Sequence, residues 1–256
     1  MSCSRRGFGS RLGLLLAGVS GGNLWARAAG PIAASPRAEG QETQHAPSPM
    51  TTHAKGSEEG QHAGPDQIWA HLLAGNQRFI AGKPAPRELV QRRERLVAGQ
   101  NPQAIVLACS DSRVSPTLIF DQNLGDLFVV RAAGNVADAV GLGSIEYAVA
   151  HLHIQLLVVL GHEGCGAVEA AASGEKMPTA NLEALVSKIA PAVAKVRGQA
   201  AGAQFLQKAI EANVYQSAAD VLANSPIVRQ EAAAQHLEIV KALYSLKTGQ
   251  VTRLEG

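Results

Sequence analysis

Three short apolar runs, separated by segments with helical periodicity, constrain the fold of this chain most strongly. The runs are AIVLA (104–108), LFVVR (127–131) and IQLLVVLG (154–161). They are rich in Val, Ile and Leu and lack polar alternation, which is typical of strands buried on both faces. Helical patterns follow the second and third runs, in VGLGSIEYAVAHLH and GCGAVEAAASG. Strands that alternate with helices predict an α/β fold with a mostly parallel β-sheet flanked by helices.

The segments around this core are also predicted to be helical, except at the C-terminus. DQIWAHLLAGNQRFIAGK has apolar residues at helical spacing, and Asp66 at its start is a candidate N-cap. A later helical segment carries an apolar stripe that includes Ile210, Val214 and Ala218. The last segments, HLEIVKALYSL and GQVTRLEG, predict a hairpin at a sheet edge.

Two of the apolar runs end on polar residues that would not stabilise a core. AIVLA is followed by CSDSRV, with Cys109, Asp111 and Arg113, and the third run leads into His162 and Cys165. Ligands of open parallel sheets bind outside the carboxyl ends of the strands, so we expect both clusters to share one crevice. Thiolates and imidazole are ligands that zinc prefers, and three protein ligands leave a fourth position open, as in catalytic zinc sites.

Four motifs, CSDSRV, GDLFVVRAAGN, SIEYAV and GHEGCGAV, resemble those of the β-class carbonic anhydrases. The resemblance extends from Asp66 to the C-terminus and implies the β-carbonic anhydrase fold with a long N-terminal helix. It implies zinc-dependent, reversible hydration of carbon dioxide to bicarbonate and a proton, the carbonate dehydratase reaction of a lyase. It also implies zinc ligands at Cys109, His162 and Cys165, and a homodimer or tetramer as the assembly.

The resemblance assigns catalytic roles to Asp111 and Arg113. A carboxylate held by a planar, permanently charged guanidinium keeps one orientation and stays ionised, so Asp111 would orient the nucleophile towards carbon dioxide. In the family, breaking this pair lets the aspartate become a fourth zinc ligand, and we expect Asp111 to bind zinc in a closed state only. The alternative is an Asp–Arg bridge that caps the helix after Ser112.

Family substrate-pocket positions correspond to Gln100, Phe128, Tyr147 and the backbone amide of Gly166. Gln100 would donate an amide hydrogen to a substrate oxygen, and Phe128 and Tyr147 would form an apolar wall suited to a nonpolar gas. The two aromatic residues are equally compatible with a structural role in the core. The first three residues could also be contributed across a dimer interface.

Some bacterial members of the family are inhibited by bicarbonate at a second site. That site uses a tryptophan three residues before the first zinc cysteine, where this chain has Val106. We therefore expect no bicarbonate allostery. Arg131, which matches the arginine of that site, would be a structural or interface residue instead.

Two other functions stay open from the sequence. Related sequences hydrolyse carbon disulfide or carbonyl sulfide with the same fold and zinc. A non-catalytic zinc-binding scaffold would need Asp111 to fill the fourth zinc position permanently, but it would not need Arg113.

Residues 1–28 predict a twin-arginine-type signal peptide. A basic segment with Arg5 and Arg6 precedes a short apolar run (12–19), and an A-x-A cleavage motif follows at 26–28. We therefore expect export to the periplasm or beyond. The apolar run is shorter than the about 20 residues of a transmembrane helix, so no membrane anchor is expected after processing. The alternative is a disordered basic tail.

Residues 29–65 predict a disordered linker, and residues 66–256 the carbonic anhydrase domain. The linker is poor in large apolar residues, and its histidines (His45, His53 and His62) lack the preorganisation of a tight metal site.

The charge of the chain does not indicate a nucleic-acid partner. The chain has 23 basic and 21 acidic residues, and four arginines lie in the predicted signal, which leaves a net charge of −2. Nucleic-acid binding needs a clustered cationic face. The one candidate, QRRERLVAGQ (91–100), is better explained as a solvated helix face.

Overall fold

The computed structural model describes residues 63–255, so the predicted signal peptide and nearly all of the predicted linker lie outside the described residues. The helices are α1 (Pro65–Ile80), α2 (Leu89–Arg95), α3 (Pro116–Ile119), α4 (Ala139–Leu152), α5 (Gly166–Ser173), α6 (Ala180–Val196), α7 (Gly202–Asn224) and α8 (Pro226–Ala233). The strands are β1 (Ala104–Ala108), β2 (Leu127–Arg131), β3 (Leu156–His162), β4 (Glu238–Tyr244) and β5 (Val251–Arg253). Within residues 63–255, no helix combines the length and apolar character needed to span a bilayer.

The five strands form one sheet in the order β2-β1-β3-β4-β5. The first four strands of this order are parallel neighbours, and β5 runs antiparallel to β4 at the sheet edge. The prediction of a mostly parallel sheet flanked by helices is confirmed. The predicted C-terminal hairpin is the β4–β5 pair, in which β4 also pairs with β3 and only β5 lies at the edge. Because β1 and β3 are parallel neighbours, the residues that follow the two strands lie close together at the carboxyl end of the sheet.

Alternate side chains of β1 and β3 pack against helices on opposite faces of the sheet. On one face, Val106 packs in a layer that includes Leu72 of α1. On the other face, Leu107 packs with Ile145 of α4 and Val214 of α7. Every residue of both strands is buried. Burial on both faces explains why the sequences of these strands lack polar alternation.

The helix α1 begins without an aspartate cap. Gly64 is the N-cap, and Pro65 takes the first helical position, where its missing N–H costs no helical hydrogen bond. The prediction of Asp66 as the N-cap is wrong because the helix starts at Pro65, two residues earlier than an Asp66 cap would place it. Asp66 lies in the first turn, where its negative charge interacts favourably with the helix dipole.

A buried asparagine attaches α1 to the other end of the chain. Asn76 donates hydrogen bonds to the carbonyl oxygens of Ile119 at 3.0 Å and Gly249 at 2.8 Å. Its side-chain oxygen accepts a hydrogen bond from the Val251 N–H at 2.9 Å. Both polar atoms of the Asn76 side chain are therefore satisfied, and they join α1 to α3 and to the start of β5.

Candidate metal centre

The carboxyl ends of β1 and β3 bring two cysteines and one histidine together. Cys109 follows the last residue of β1, His162 is the last residue of β3, and Cys165 is the N-cap residue of α5. All three are buried, and their ligand atoms lie within 4.8 Å of one another. The two Sγ atoms are 4.0 Å apart. In a tetrahedral site with zinc–sulfur bonds of about 2.3 Å, two sulfurs lie about 3.8 Å apart.

The His162 ring has one nitrogen available for a metal. Nδ1 lies 2.9 Å from the carbonyl oxygen of Glu163, so Nδ1 carries the proton and donates it. Nε2 is buried and has no hydrogen-bond partner among the described residues. A buried nitrogen without a partner is unfavourable, and a metal ion at this point would satisfy it. The Glu163 carbonyl also fixes the tautomer that ligation requires. The three side chains therefore fit zinc in number, chemistry and spacing.

The two thiols share one proton when no cation neutralises them. A hydrogen bond with Cys165 is the main reason that the pKa of Cys109 is lowered. The pKa of the Cys165 thiol is raised, mainly because its S–H donates to Cys109 and because it is buried. Two thiolates this close repel each other, and a divalent cation removes that repulsion. A divalent cation held here would therefore displace the shared proton.

Asp111 and Arg113 form a forked ion pair beside the cysteines. Arg113 donates from Nε to Oδ1 at 2.9 Å and from Nη2 to Oδ2 at 2.7 Å, and its backbone N–H also donates to Oδ1. These bonds hold the pKa of Asp111 well below its ordinary value. Asp111 Oδ2 lies 4.0 Å from Nε2 of His162, which is beyond a hydrogen bond. The next helix, α3, has Ser115 as its N-cap, so the ion pair does not cap it.

Arg131, at the end of β2, holds the loop that carries the ion pair. Its Nε donates to the carbonyl oxygen of Cys109 at 3.0 Å, and its Nη2 donates to that of Asp111 at 2.8 Å. Arg131 thus has a structural contact within its own chain, one of the two roles expected for it.

A turn after β2 supplies a hydrogen bond to one of the sulfurs. The backbone N–H of Gly134 donates to Sγ of Cys109 at 3.2 Å. Gly134 has a φ of 69°, and a Cβ at this position would lie 2.6 Å from Cδ1 of Ile189. The turn therefore requires glycine. Sequence reasoning did not assign Gly134 to the site, although its position just after the carboxyl end of β2 is where such a residue is expected.

The residues expected to form the substrate pocket are not all brought together within one chain. Gly166 directly follows Cys165, at the start of α5. Gln100 instead precedes β1, whereas Cys109 follows it, so the two residues lie at opposite ends of this strand. Phe128 pairs with Ile105 in the sheet, so at about 3.3 Å per residue it lies about 13 Å along the strands from the level of Cys109.

The two aromatic residues of the expected pocket contact each other. The ring centroids of Phe128 and Tyr147 are 6.3 Å apart. Phe128 packs against the buried layer formed by α4 and α7, and Tyr147 lies on α4. Within one chain, these two side chains therefore lie on the face of the sheet that α4 and α7 cover.

The chain is similar in sequence to enzymes of known function. Residues 104–251 match a family model described as carbonic anhydrase. The chain is 41% identical over 190 residues to carbonic anhydrase 2 of Mycobacterium tuberculosis, a match that covers 73% of this chain and 91% of that protein. It is 39% identical over 194 residues to the carbonic anhydrase of Mycolicibacterium smegmatis, covering 74% of this chain and 93% of that protein.

The fold is also similar to solved structures. One is described as a tetrameric β-carbonic anhydrase of the fungus Sordaria macrospora, with a TM-score of 0.59 and 25% sequence identity. The match covers 74% of this chain and 98% of that chain.

Proposed function

Because the chain belongs to the β-class carbonic anhydrase family, we propose that it is an exported, oligomeric member in which Asp111 and Arg113 are the catalytic pair. Its activity is the zinc-dependent, reversible hydration of carbon dioxide to bicarbonate and a proton. The observation that carries this assignment is the buried cluster of Cys109, His162 and Cys165 with the forked ion pair beside it.

The three clustered side chains would hold the metal. Zinc, when bound there, supplies a Lewis acid that makes a water-derived nucleophile available near neutral pH. Asp111 is kept ionised by Arg113, so it accepts a hydrogen bond from the attacking water and never donates one. This bond fixes the orientation of the nucleophile, and the attacking lone pair points at the carbon of carbon dioxide.

The start of α5 would assist on the substrate side. Gly166 occupies the first helical position, where the backbone N–H has no acceptor within the helix. Partial positive charge at a helix N-terminus stabilises negative charge. The Gly166 N–H would therefore stabilise the oxygen on which bicarbonate carries its charge.

We propose that a second copy of the chain completes the substrate pocket. Gln100, Phe128 and Tyr147 lie away from Cys109 within their own chain, as described above. The open edge of β2 exposes Val129 and lines a cavity of about 690 Å³ with mainly apolar walls. The Sordaria macrospora relative is described as tetrameric, which supports a dimer or tetramer here.

A complementation experiment tests this arrangement. Copies with Cys109→Ser lack a zinc ligand, and copies with Phe128→Ala lack an aromatic wall. If pockets form between copies, refolding the two variants together restores activity that neither has alone, because one mixed site is intact. Activity no higher than the sum of the separate variants would contradict the proposal.

The reaction itself is tested by measuring two substrates on one zinc-loaded preparation. Carbon dioxide hydration is expected, and hydrolysis of carbon disulfide without it would contradict the assignment. Asp111→Ala should keep its zinc and lose hydration activity. A wild-type protein that binds zinc but hydrates no carbon dioxide would instead be the scaffold that the sequence left open.

The export proposal is supported by the arginine pair, apolar run and A-x-A motif in residues 1–28. Cell fractionation of the full chain tests it. The processed protein is expected outside the cytoplasm, and replacing both Arg5 and Arg6 by lysine should leave it inside. Equal distribution of the two proteins would contradict this route.

A further inference from the structure

Two buried polar residues interrupt the apolar stripe of α7. Asn213 and Ser217 are 1% and 2% exposed and lie on the same helix face as Ile210, Val214 and Val221. A buried polar side chain destabilises a packed face unless hydrogen bonds compensate it. The contacts of Asn213 and Ser217 must therefore explain why they occur there.

Asn213 contacts the same turn that donates a hydrogen bond to Cys109. Its Nδ2 donates to the carbonyl oxygen of Gly134 at 2.7 Å and lies 3.4 Å from Oδ1 of Asn135. Nδ2 of Asn135 in turn lies 3.4 Å from Oγ of Ser217. Gly134 also donates its N–H to the sulfur of Cys109. A single residue of the turn thus connects α7 to a side chain of the metal cluster.

The turn needs this support because of its backbone conformation. Gly134 and Asn135 both have positive φ angles, of 69° and 48°. Consecutive left-handed residues are uncommon, and asparagine tolerates the conformation less easily than glycine. The hydrogen bonds from α7 hold both residues in it. This conformation directs the Gly134 N–H towards the sulfur.

The other atom of the Asn213 amide argues against a purely stabilising role. Its Oδ1 is buried and has no hydrogen-bond partner within residues 63–255. An unpaired buried oxygen lowers stability, and an apolar side chain of similar size would avoid that penalty. The feature that an apolar residue cannot replace is the N–H group that Asn213 donates to Gly134.

We propose that Asn213 is a positioning residue for the zinc centre, which fixes the Gly134 N–H against the sulfur of Cys109 and thereby strengthens metal binding. The inference rests on the metal centre of the proposed function and adds a residue that touches neither metal nor substrate. Hydrogen bonds that orient metal ligands typically change metal affinity by about 10–100-fold.

Asn213→Leu tests the proposal because it removes the amide while keeping the number and branching of the side-chain heavy atoms. The zinc dissociation constant, measured by competition with a chelator of known affinity, is expected to rise about 10-fold or more. In the cobalt-substituted protein, the sulfur-to-metal charge-transfer absorption is expected to shift, because one sulfur loses a hydrogen bond. Asn213→Ala is the second variant, and both measurements should change in the same direction.

Asn76→Ala is the matched control. Asn76 is a fully buried asparagine with three hydrogen bonds to the backbone of residues outside the metal cluster. Its replacement should lower stability and leave zinc affinity and the cobalt spectrum of the folded protein unchanged.

Wild-type zinc affinity and an unchanged cobalt spectrum in both Asn213 variants would overturn the inference. An equal loss of zinc affinity in Asn76→Ala would also overturn it, because the effect would then follow general destabilisation. A wild-type protein that binds no zinc would overturn the proposed function together with this inference.

Discussion

Arg113 donates two parallel hydrogen bonds to Asp111, one to each carboxylate oxygen, at 2.9 and 2.7 Å. A lysine would keep the charge but could not supply the planar fork. Arg113→Lys is therefore expected to keep zinc and to lower kcat/KM by about 10²-fold, because the carboxylate loses its fixed orientation. Stopped-flow hydration assays and metal analysis of the same preparation check this. Wild-type turnover in Arg113→Lys would show that the fork has no catalytic role.

Asp121 anchors α1 and the segment after it, and its removal should destabilise the fold. Its buried carboxylate accepts hydrogen bonds from Arg78 at 2.6 Å, the Ala85 N–H at 2.9 Å and Arg87 at 3.0 Å. Asparagine tolerates the left-handed φ of 46° at this position, so Asp121→Asn removes the charge and one of the two acceptor atoms without adding backbone strain. We expect the free energy of unfolding at pH 7 to fall by about 2 kcal/mol, measured by urea denaturation.

The same substitution should change how stability depends on pH. Burial opposes ionisation of Asp121, but the Ala85 N–H and Arg78 outweigh it and lower its pKa. A lowered folded-state pKa stabilises the protein above the unfolded pKa of about 3.9, and this contribution is lost as the pH falls further. The stability difference between wild type and Asp121→Asn should therefore be largest above about pH 4 and shrink as the pH falls below it. Both are compared in chelator and reductant, so that zinc loss does not contribute. A stability difference that stays constant with pH would contradict this account.

Zinc removal should expose Cys109 and Cys165 to oxidation. Their sulfurs are 4.0 Å apart, and a modest side-chain movement would allow a bond of about 2.0 Å. We predict that the chelated protein forms this disulfide in mild oxidant and rebinds zinc only after reduction, whereas zinc-loaded protein keeps both thiols. Peptide mass mapping with and without reduction measures the outcome.

For the proposed export route, this protection is the physical reason to expect zinc loading before export, since twin-arginine export carries folded proteins. Equal oxidation rates with and without zinc would contradict a protective role for the metal. Secreted protein that is isolated zinc-free and disulfide-bonded would contradict loading before export.

Turnover should depend hyperbolically on bicarbonate concentration. Val106, which replaces the tryptophan of the inhibitory site, is fully buried in the middle of β1. Arg131 is occupied by the carbonyl oxygens of Cys109 and Asp111. Steady-state rates over a range of bicarbonate concentrations test this prediction, and a sigmoidal dependence would contradict it.

The strands and the metal cluster could be predicted because they depend on local patterns and a simple rule of sheet topology. β1 and β2 have the bounds of their apolar runs, and β3 starts at Leu156, two residues later than its run. Cys109, His162 and Cys165 meet because the strands that precede them are parallel neighbours. The motifs then identified the family.

The support behind the cluster could not be predicted because it depends on packing between distant segments. Asn213 and Gly134 are 79 residues apart, and nothing in the sequence near Asn213 indicates which turn it contacts. In the apolar stripe of α7, the asparagine resembles an ordinary polar interruption. Only the packing of α7 against the turn after β2 shows its role. The other expected pocket residues lie away from Cys109 within one chain, and the proposed sharing of the pocket with a second copy is not specified by any single-chain pattern.

The central claim is that Cys109, His162 and Cys165 together hold one zinc ion. X-ray absorption at the zinc edge of the purified enzyme tests it most directly, because sulfur and lighter ligands differ in scattering and bond length. We predict two sulfurs at about 2.3 Å and two nitrogen or oxygen ligands at about 2.0 Å. A zinc shell that contains only nitrogen and oxygen would contradict the account.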